Sequence, residues 1–336
     1  MPAPSCASFR ALFRCDGTVE TGLGHVSRCI GLAEALDERE IEALFLGDFG
    51  DAACNLLSAL PSRVLVRSLL SAADVAAVAE HHGVAVIIVD SYVATSEFIR
   101  HLSTVRPVIV IDDFARLPRY DCAAVLNFTV TSSEVRYPRT VRSWLGPGYF
   151  LPRRTLRRLR ARERRQGEAL ERLLVAVGGF DRVGISSEIA RVAVSASDTL
   201  TVAVVTASPS QDLLAAAESC RGRIRILPAL RDISGPMAWA DACVTGGGLT
   251  KYESLYLGLP TAVVAQTPEE ASDTRILGTL GACLDLGLGC DCDWVKLGDF
   301  LRNSVLRRQL ATHAAQMFPM DPAARVAAEI ERLIGS

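Results

Sequence analysis

With 336 residues, 49% hydrophobic and 22% charged, the chain is long enough for two domains with sizeable cores and too apolar for a disordered protein. A net charge of −2 gives no bulk attraction for nucleic acid, and apolar runs such as residues 84–89 fall far short of the roughly 20 residues a membrane helix needs. Residues 1–7 lack the charged-then-apolar layout of a signal peptide, so the expectation is a cytoplasmic protein, a monomer or small homo-oligomer, with no nucleic-acid partner and no integral membrane contact.

Taken in chain order, strand-like apolar runs alternate with helix-length segments. Strands are expected over residues 11–15, 42–46, 63–67, 84–90, 108–111 and 123–126, and helices over 24–39, 72–82 and 95–103. An arginine-rich stretch follows, with eight arginines between positions 153 and 165. It reads as a solvated amphipathic helix or linker at 151–168, with Leu156 and Leu159 packing down; a basic patch for phosphate, membrane or a partner is the alternative. Beyond it, strands are expected over 173–177, 201–205, 223–227, 242–245 and 261–265, with helices between them and at the end. Continuous Val/Ile runs suit strands buried on both faces of a parallel sheet. The pattern therefore predicts an α/β protein with two Rossmann-like, doubly wound domains, residues 1–150 and 169–336, the last helix being free to pack back on the first domain.

Ligands of such sheets bind beyond the carboxyl ends of the strands. Four constellations lie there. The first is Arg14-Cys15-Asp16-Gly17, then Gly22-Leu23-Gly24-His25-Val26-Ser27-Arg28, running from the first strand into the first helix. Its glycines permit close backbone approach, and His25 falls in the first helical turn, placed to act as a base. The spacing is not that of a dinucleotide fingerprint. The second is Asp90-Ser91-Tyr92, closing a buried strand, where Asp90 can orient a base and Tyr92 can hold a hydroxyl. The third is Asp112-Asp113. Adjacent side chains on a strand point opposite ways, so the two are not read as a carboxylate pair acting together; Asp112 or Asp113 capping a turn is the plain reading. The fourth is Gly246-Gly247-Gly248-Leu249-Thr250-Lys251-Tyr252-Glu253, a strand end opening a helix, suited to a pyrophosphate at the helix N-terminus with Thr250 on phosphate and Glu253 on a ribose. Gly178, Gly179 and Asp181 form a second glycine-rich strand end in that domain.

The ten cysteines sit mostly in apolar patterns and read as reduced core thiols. The one close pair, Cys290-Asp291-Cys292, fits neither a redox nor a zinc spacing, so no metal and no cofactor are expected. Only two lysines occur, Lys251 and Lys296, so lysine chemistry would have to use one of them.

Taken together, Arg14…Asp16…Gly22-Leu-Gly24-His25-Val-Ser-Arg28-Cys29, Val89-Asp90-Ser-Tyr92, Ile111-Asp-Asp113, Leu126-Asn127, Leu145-Gly146-Pro147-x-Tyr149, Gly178-Gly179-x-Asp181 and Gly246-Gly247-Gly248-x-Thr250-x-Tyr-Glu253 resemble the UDP-2,4-diacetamido-2,4,6-trideoxy-β-L-altropyranose hydrolases of pseudaminic acid biosynthesis and the related spore-coat polysaccharide proteins. The second half is also similar to the peptidoglycan N-acetylglucosaminyltransferase. The resemblance runs from Phe13 to about Gly281. It implies a glycosyltransferase-B-type fold with an interdomain cleft, and a metal-free enzyme that hydrolyses a UDP-sugar at the anomeric carbon. His25 matches the family's catalytic histidine and Tyr92 its assisting tyrosine, while the second domain would hold UDP. Where the family has an Asn-Gln pair, this chain reads Gln266-Thr267-Pro268-Glu269-Glu270. That departure bears on the sugar. A glycosyltransferase with another hydroxyl in place of water, and a non-catalytic nucleotide-sugar-binding subunit, are the alternatives.

Overall fold

The computed structural model describes residues 9–60, 63–66, 70–160, 169–178, 181, 184–228 and 230–335. The chain divides into two compact units, residues 1–154 with 321–336, and residues 155–320. Gly179, Arg67 and residues 161–168 of the arginine-rich stretch lie outside the described residues.

Unit 1 contains β1 (Arg10–Cys15), α1 (Gly24–Asp37), β2 (Glu42–Gly47), α2 (Asp51–Leu57), β3 (Arg63–Val66), α3 (Ala72–His81), β4 (Val86–Asp90), α4 (Ser96–Ser103), β5 (Val108–Ile111), β6 (Ala124–Asn127) and β7 (Arg142–Leu145). They form a seven-stranded sheet in the order β3-β2-β1-β4-β5-β6-β7, and every pairing is parallel. The chain winds outward from β1 to β3 and then returns to start the other half at β4, so β1 and β4 flank the point where strand order reverses. A helix follows β1, β2, β3 and β4, the usual crossover between parallel strands.

The residues explain the elements. β4 is buried along its whole length and β1 at every position but the first, which is why both read as unbroken apolar runs. Fully buried side chains such as Leu12 and Ile87 each contribute about 1.5–3 kcal/mol of hydrophobic stabilisation. α3 starts on a reciprocal Ser71–Asp74 capping box and α4 on the Thr95 hydroxyl.

α5 (Arg154–Arg160) begins at the division between the units. The described part of the arginine-rich stretch is thus largely helix, one of the two forms expected of it. Leu156 and Arg157 are buried there, and Leu159 is half-buried. Within unit 2, Arg160 donates to the Ala315 and Phe318 carbonyls (2.9 Å each) and to that of Tyr256, and its guanidinium lies 4.5 Å from the Tyr256 ring. Its charge thus meets carbonyls at helix C-termini.

Unit 2 continues with β8 (Arg172–Ala176), α6 (Ile185–Ala196), β9 (Thr201–Val205), α7 (Gln211–Ser219), β10 (Ile224–Leu227), α8 (Ser234–Trp239), β11 (Ala242–Gly246), α9 (Leu249–Tyr256), β12 (Thr261–Ala265), α10 (Pro268–Thr279), β13 (Leu284–Leu288), α11 (Trp294–Arg302) and α12 (Ser304–Gln316). Its six-stranded parallel sheet has the order β10-β9-β8-β11-β12-β13, with the reversal at β8 and β11. The protein is therefore α/β with two Rossmann-like domains. α13 (Pro322–Ile334) belongs to unit 1, where it packs on α1 and ties in through an Arg39–Glu331 ion pair and a 2.9 Å bond from Arg325 to the Tyr149 hydroxyl.

Candidate functional site

In unit 1 the strand-order reversal gathers side chains from β1, α1, β4 and the β5 end. β1 delivers Arg14 and leads into Asp16, whose carboxylate accepts from Arg14 Nη1 (2.6 Å), the Asp48 N–H (3.0 Å) and the Ser91 hydroxyl (3.2 Å). Arg14 and Asp16 are both buried, and Arg14 Nε has no partner among the described residues. Gly22 takes φ +73°, a left-handed turn that a side chain would strain, and Gly24 opens α1 one residue before His25.

His25 and Arg28 lie on one face of α1, three residues apart, and both reach the end of β4. His25 Nδ1 is 2.6 Å from Asp90 Oδ1. Arg28 donates to Asp90 through Nε (2.7 Å) and Nη2 (2.6 Å), and through Nη1 to both oxygens of Asp113 (2.8 and 2.6 Å). The Tyr92 hydroxyl donates to Asp113 (3.0 Å), and its ring meets that of His25 edge-on at 4.4 Å. Five groups thus form one network, in which Asp90 is fully buried, His25, Arg28 and Asp113 are nearly so, and Tyr92 is exposed at the edge.

The electrostatics fix the proton on the imidazole. Burial alone would raise the Asp90 carboxyl; the Arg28 guanidinium, then His25, more than offset this and hold it well below the usual carboxylate range. An ionised carboxylate only accepts hydrogen bonds. Nδ1 must therefore carry the proton in the 2.6 Å contact, and in the neutral ring Nε2 is the lone-pair nitrogen. Arg28 Nη2, 3.2 Å from Nδ1, then has no acceptor there and bonds Asp90 instead. Burial opposes the charge on Arg28, but Asp113 and Asp90 outweigh it and keep the guanidinium charged. Desolvation, followed by Asp113, pushes the Tyr92 phenol above its usual range, so Tyr92 stays protonated as a donor.

Asp113 is the residue that sequence reasoning left among the turn caps. The pair does point two ways. Asp112 accepts from the Phe114 N–H (3.1 Å) and the Tyr120 hydroxyl, a turn role, while its neighbour faces Arg28. Two signals were available: that rule of opposite directions, which assigns one of two adjacent carboxylates to the far side, and the Ile111-Asp-Asp113 motif within the family resemblance.

In unit 2 the carboxyl ends of β8, β11 and β12 converge. A Cβ on Gly246 would lie 2.2 Å from the Val177 carbonyl oxygen, so only glycine lets β11 leave the sheet this close to β8. The Gln266 side chain donates to that same Val177 carbonyl, binding the β12 end to the β8 end. The 266–270 segment starts a helix: Thr267 caps α10, Pro268 occupies its first position, and Glu270 accepts from the Gln266 N–H (2.8 Å). Glu270 packs against Gly247, where a Cβ would fall 2.5 Å from the Glu270 Cβ.

The residues that precede α9 and α1, Gly248 and Leu23, make no side-chain cap bond to the helix they start. Thr250 is half-buried in the first turn of α9 and Glu253 is buried one turn in. Thr245, one residue before the glycines, has a buried hydroxyl without a partner among the described residues. Gly178 lies exposed just past β8. Asp181 instead bonds its own helix, accepting from the Ile185 (3.0 Å) and Ser186 (2.9 Å) N–H groups at the start of α6. Among the described residues no cluster of His, Cys, Asp or Glu has the makings of a metal site, and no helix is long and apolar enough to cross a membrane. The cysteines recorded among them are free.

No family model matches the chain. It is 23% identical over 283 residues to the spore coat polysaccharide biosynthesis protein SpsG of Bacillus subtilis, covering 82% of each chain. Among solved structures it resembles MurG of Acinetobacter baumannii (TM-score 0.67, 13% identity, 96% of this chain and 99% of the other). It also resembles Phytolacca americana UGT2, solved with UDP-2-fluoro-glucose and pterostilbene (TM-score 0.68, 13% identity, 98% and 100%). The fold is that of the glycosyltransferases of the GT-B type.

Proposed function

We propose that the protein is a nucleotide-sugar-dependent enzyme that breaks the bond between an anomeric carbon and a nucleoside diphosphate, and passes the sugar to an acceptor hydroxyl. The observation that carries this reading is the buried His25–Asp90–Arg28–Asp113 network at the strand-order reversal of unit 1. His25 Nε2 takes the proton of the attacking hydroxyl. Asp90, ionised, holds the ring's tautomer and offsets the positive charge that forms on it. Arg28 locks Asp90 in place, and Tyr92, whose proton is donated to Asp113, offers its oxygen as an acceptor for a substrate hydroxyl beside the ring. Arg14 supplies a further donor through its unpartnered Nε. The nucleotide belongs to unit 2, its diphosphate at Gly247, Gly248 and Thr250 on the uncapped start of α9, and its ribose at Glu253. Gly178 lines the neighbouring strand end. The departing diphosphate needs neither metal nor cofactor when helix N–H groups take up its charge.

Transfer is favoured because the fold is shared with MurG and with a plant enzyme holding a UDP-sugar analogue beside a second molecule. The likeness to SpsG suggests a polysaccharide acceptor or precursor. A specific observation favours hydrolysis as the second reading: the run from Arg14 to Arg28, with Tyr92, matches the hydrolase family's pattern. Water would then occupy the acceptor's place, with the same base. Incubation with a panel of UDP- and dTDP-sugars, following nucleotide release with and without sugar acceptors, tests both. Release that requires an acceptor supports transfer, and release in water alone supports hydrolysis. Nucleotide binding without turnover of any sugar would overturn both.

A further inference from the structure

Lys251 is one of two lysines in the chain, and it sits 2% exposed on the inner face of α9. Its ammonium forms a 2.7 Å ion pair with Asp273 of α10, itself buried. The Tyr252 hydroxyl bridges both Asp273 oxygens at 2.9 Å. Lys251 Nζ also donates to the Gly247 carbonyl. A buried ion pair of this kind is a costly way to hold a helix, because desolvation of both charges offsets most of their attraction and an apolar pair would hold it as well. What an apolar pair could not do is grip a carbonyl.

We infer that Lys251, held by Asp273 and Tyr252, is a positioning residue for diphosphate recognition: it fixes the Gly247–Gly248 peptide so that the Gly248 N–H faces the ligand. The inference rests on reading residues 246–253 as the nucleotide site. The geometry is that of a trans peptide, in which C=O and the following N–H point in opposite directions. No cis bond occurs among the described residues. With the Gly247 carbonyl drawn inward to Lys251, the Gly248 N–H is turned outward, and Gly248 is exposed. Glycines have the freedom to flip this peptide, and nothing on a glycine itself opposes a flip. Two neighbours do. Lys251 holds the carbonyl, and Glu270 packs against the Gly247 Cα. The clamp pre-sets a donor that a free Gly-Gly-Gly turn would have to order upon binding. Lys251 does not touch the ligand and its charge is balanced by Asp273, so its effect is on orientation, not on overall attraction.

The test uses the full chain and three probes: uridine, UDP and inorganic pyrophosphate. The double variant Lys251→Met with Asp273→Asn removes both charges together, so that no unpaired charge is left buried. Phe300→Leu, in the core of unit 2, serves as a purely destabilising comparison. The readout is the ratio of UDP affinity to uridine affinity by calorimetry, beside Tm. The expected result is a ratio lowered about tenfold or more in the double variant, with pyrophosphate binding weakened in parallel and uridine affinity kept. Phe300→Leu should lower Tm and leave the ratio alone. An unchanged ratio, or UDP and uridine affinities falling together as stability falls, overturns the inference while the nucleotide site stands. A wild-type protein that binds none of the three probes overturns the nucleotide reading and the inference with it.

Discussion

The two units place their candidate residues at the same point of the same topology, and furnish it in opposite ways. At the β1/β4 reversal of unit 1 the site is made of side chains: an imidazole, a guanidinium, two carboxylates and a phenol, bonded to one another at 2.6–3.0 Å. At the β8/β11 reversal of unit 2 it is made of backbone, with glycines where a side chain would collide with Val177 or Glu270. A network of ionised and protonated groups can move a proton. A turn stripped of side chains can bring N–H groups against an anion. The difference argues that one scaffold, used twice, divides the work between chemistry in unit 1 and recognition in unit 2.

That division can be broken most forcefully at His25. His25→Ala should cut turnover by about 10²–10⁴-fold, the usual worth of a general base, and leave nucleotide affinity unchanged. Equal losses in both would merge the two roles.

Asp90→Asn comes next. An amide no longer compels Nδ1 to carry the proton, and it leaves Arg28 short of a counter-charge. Turnover should fall by about 10²-fold or more, with about 3–5 kcal/mol lost from stability, read by denaturant unfolding. The same carboxylate gives a pH signature. Because its folded pKa is depressed, its stabilising contribution is complete above the ordinary carboxylate value of about 4 and is lost as pH falls from there toward the depressed value. The acid limb of a stability–pH curve should therefore be shallower in Asp90→Asn than in the wild type.

Gly247→Ala probes the other unit. A methyl 2.5 Å from the Glu270 Cβ forces the turn to shift, at about 1–3 kcal/mol, and nucleotide affinity should fall by a comparable amount while turnover of the bound complex holds. The smallest effect belongs to Tyr92→Phe. Loss of the bond to Asp113 should lower turnover by about 1 kcal/mol in transition-state terms, measured as kcat/KM.

How much of this the sequence displays depends on what kind of residue carries it. Strands buried on both faces, such as β4, β5 and β12, announce themselves as Val/Ile runs. β7 does not, because only Trp144 of its four residues is buried, and neither does β13, where Gly287 interrupts the run. α2, seven residues long, has too few turns to show a period. At the candidate site, His25, Asp90 and Tyr92 are legible because they lie at or just beyond the carboxyl ends of strands, where ligands of such sheets bind. Asp113 hides beside an identical neighbour whose role is local. Asp181 shows the converse, a residue with the right motif whose carboxylate bonds its own helix. Lys251 is invisible for a different reason. A lysine on a helix is ordinarily solvated, and only packing reveals that this one is buried against a carbonyl.

The most direct test of the division is made on one sample of His25→Ala, measuring nucleotide release from a saturating UDP-sugar and the affinity for UDP together. The expected result is release slowed by about 10²-fold or more with UDP affinity equal to that of the wild type. Release at the wild-type rate, or a loss of UDP affinity matching the loss of release, would contradict it.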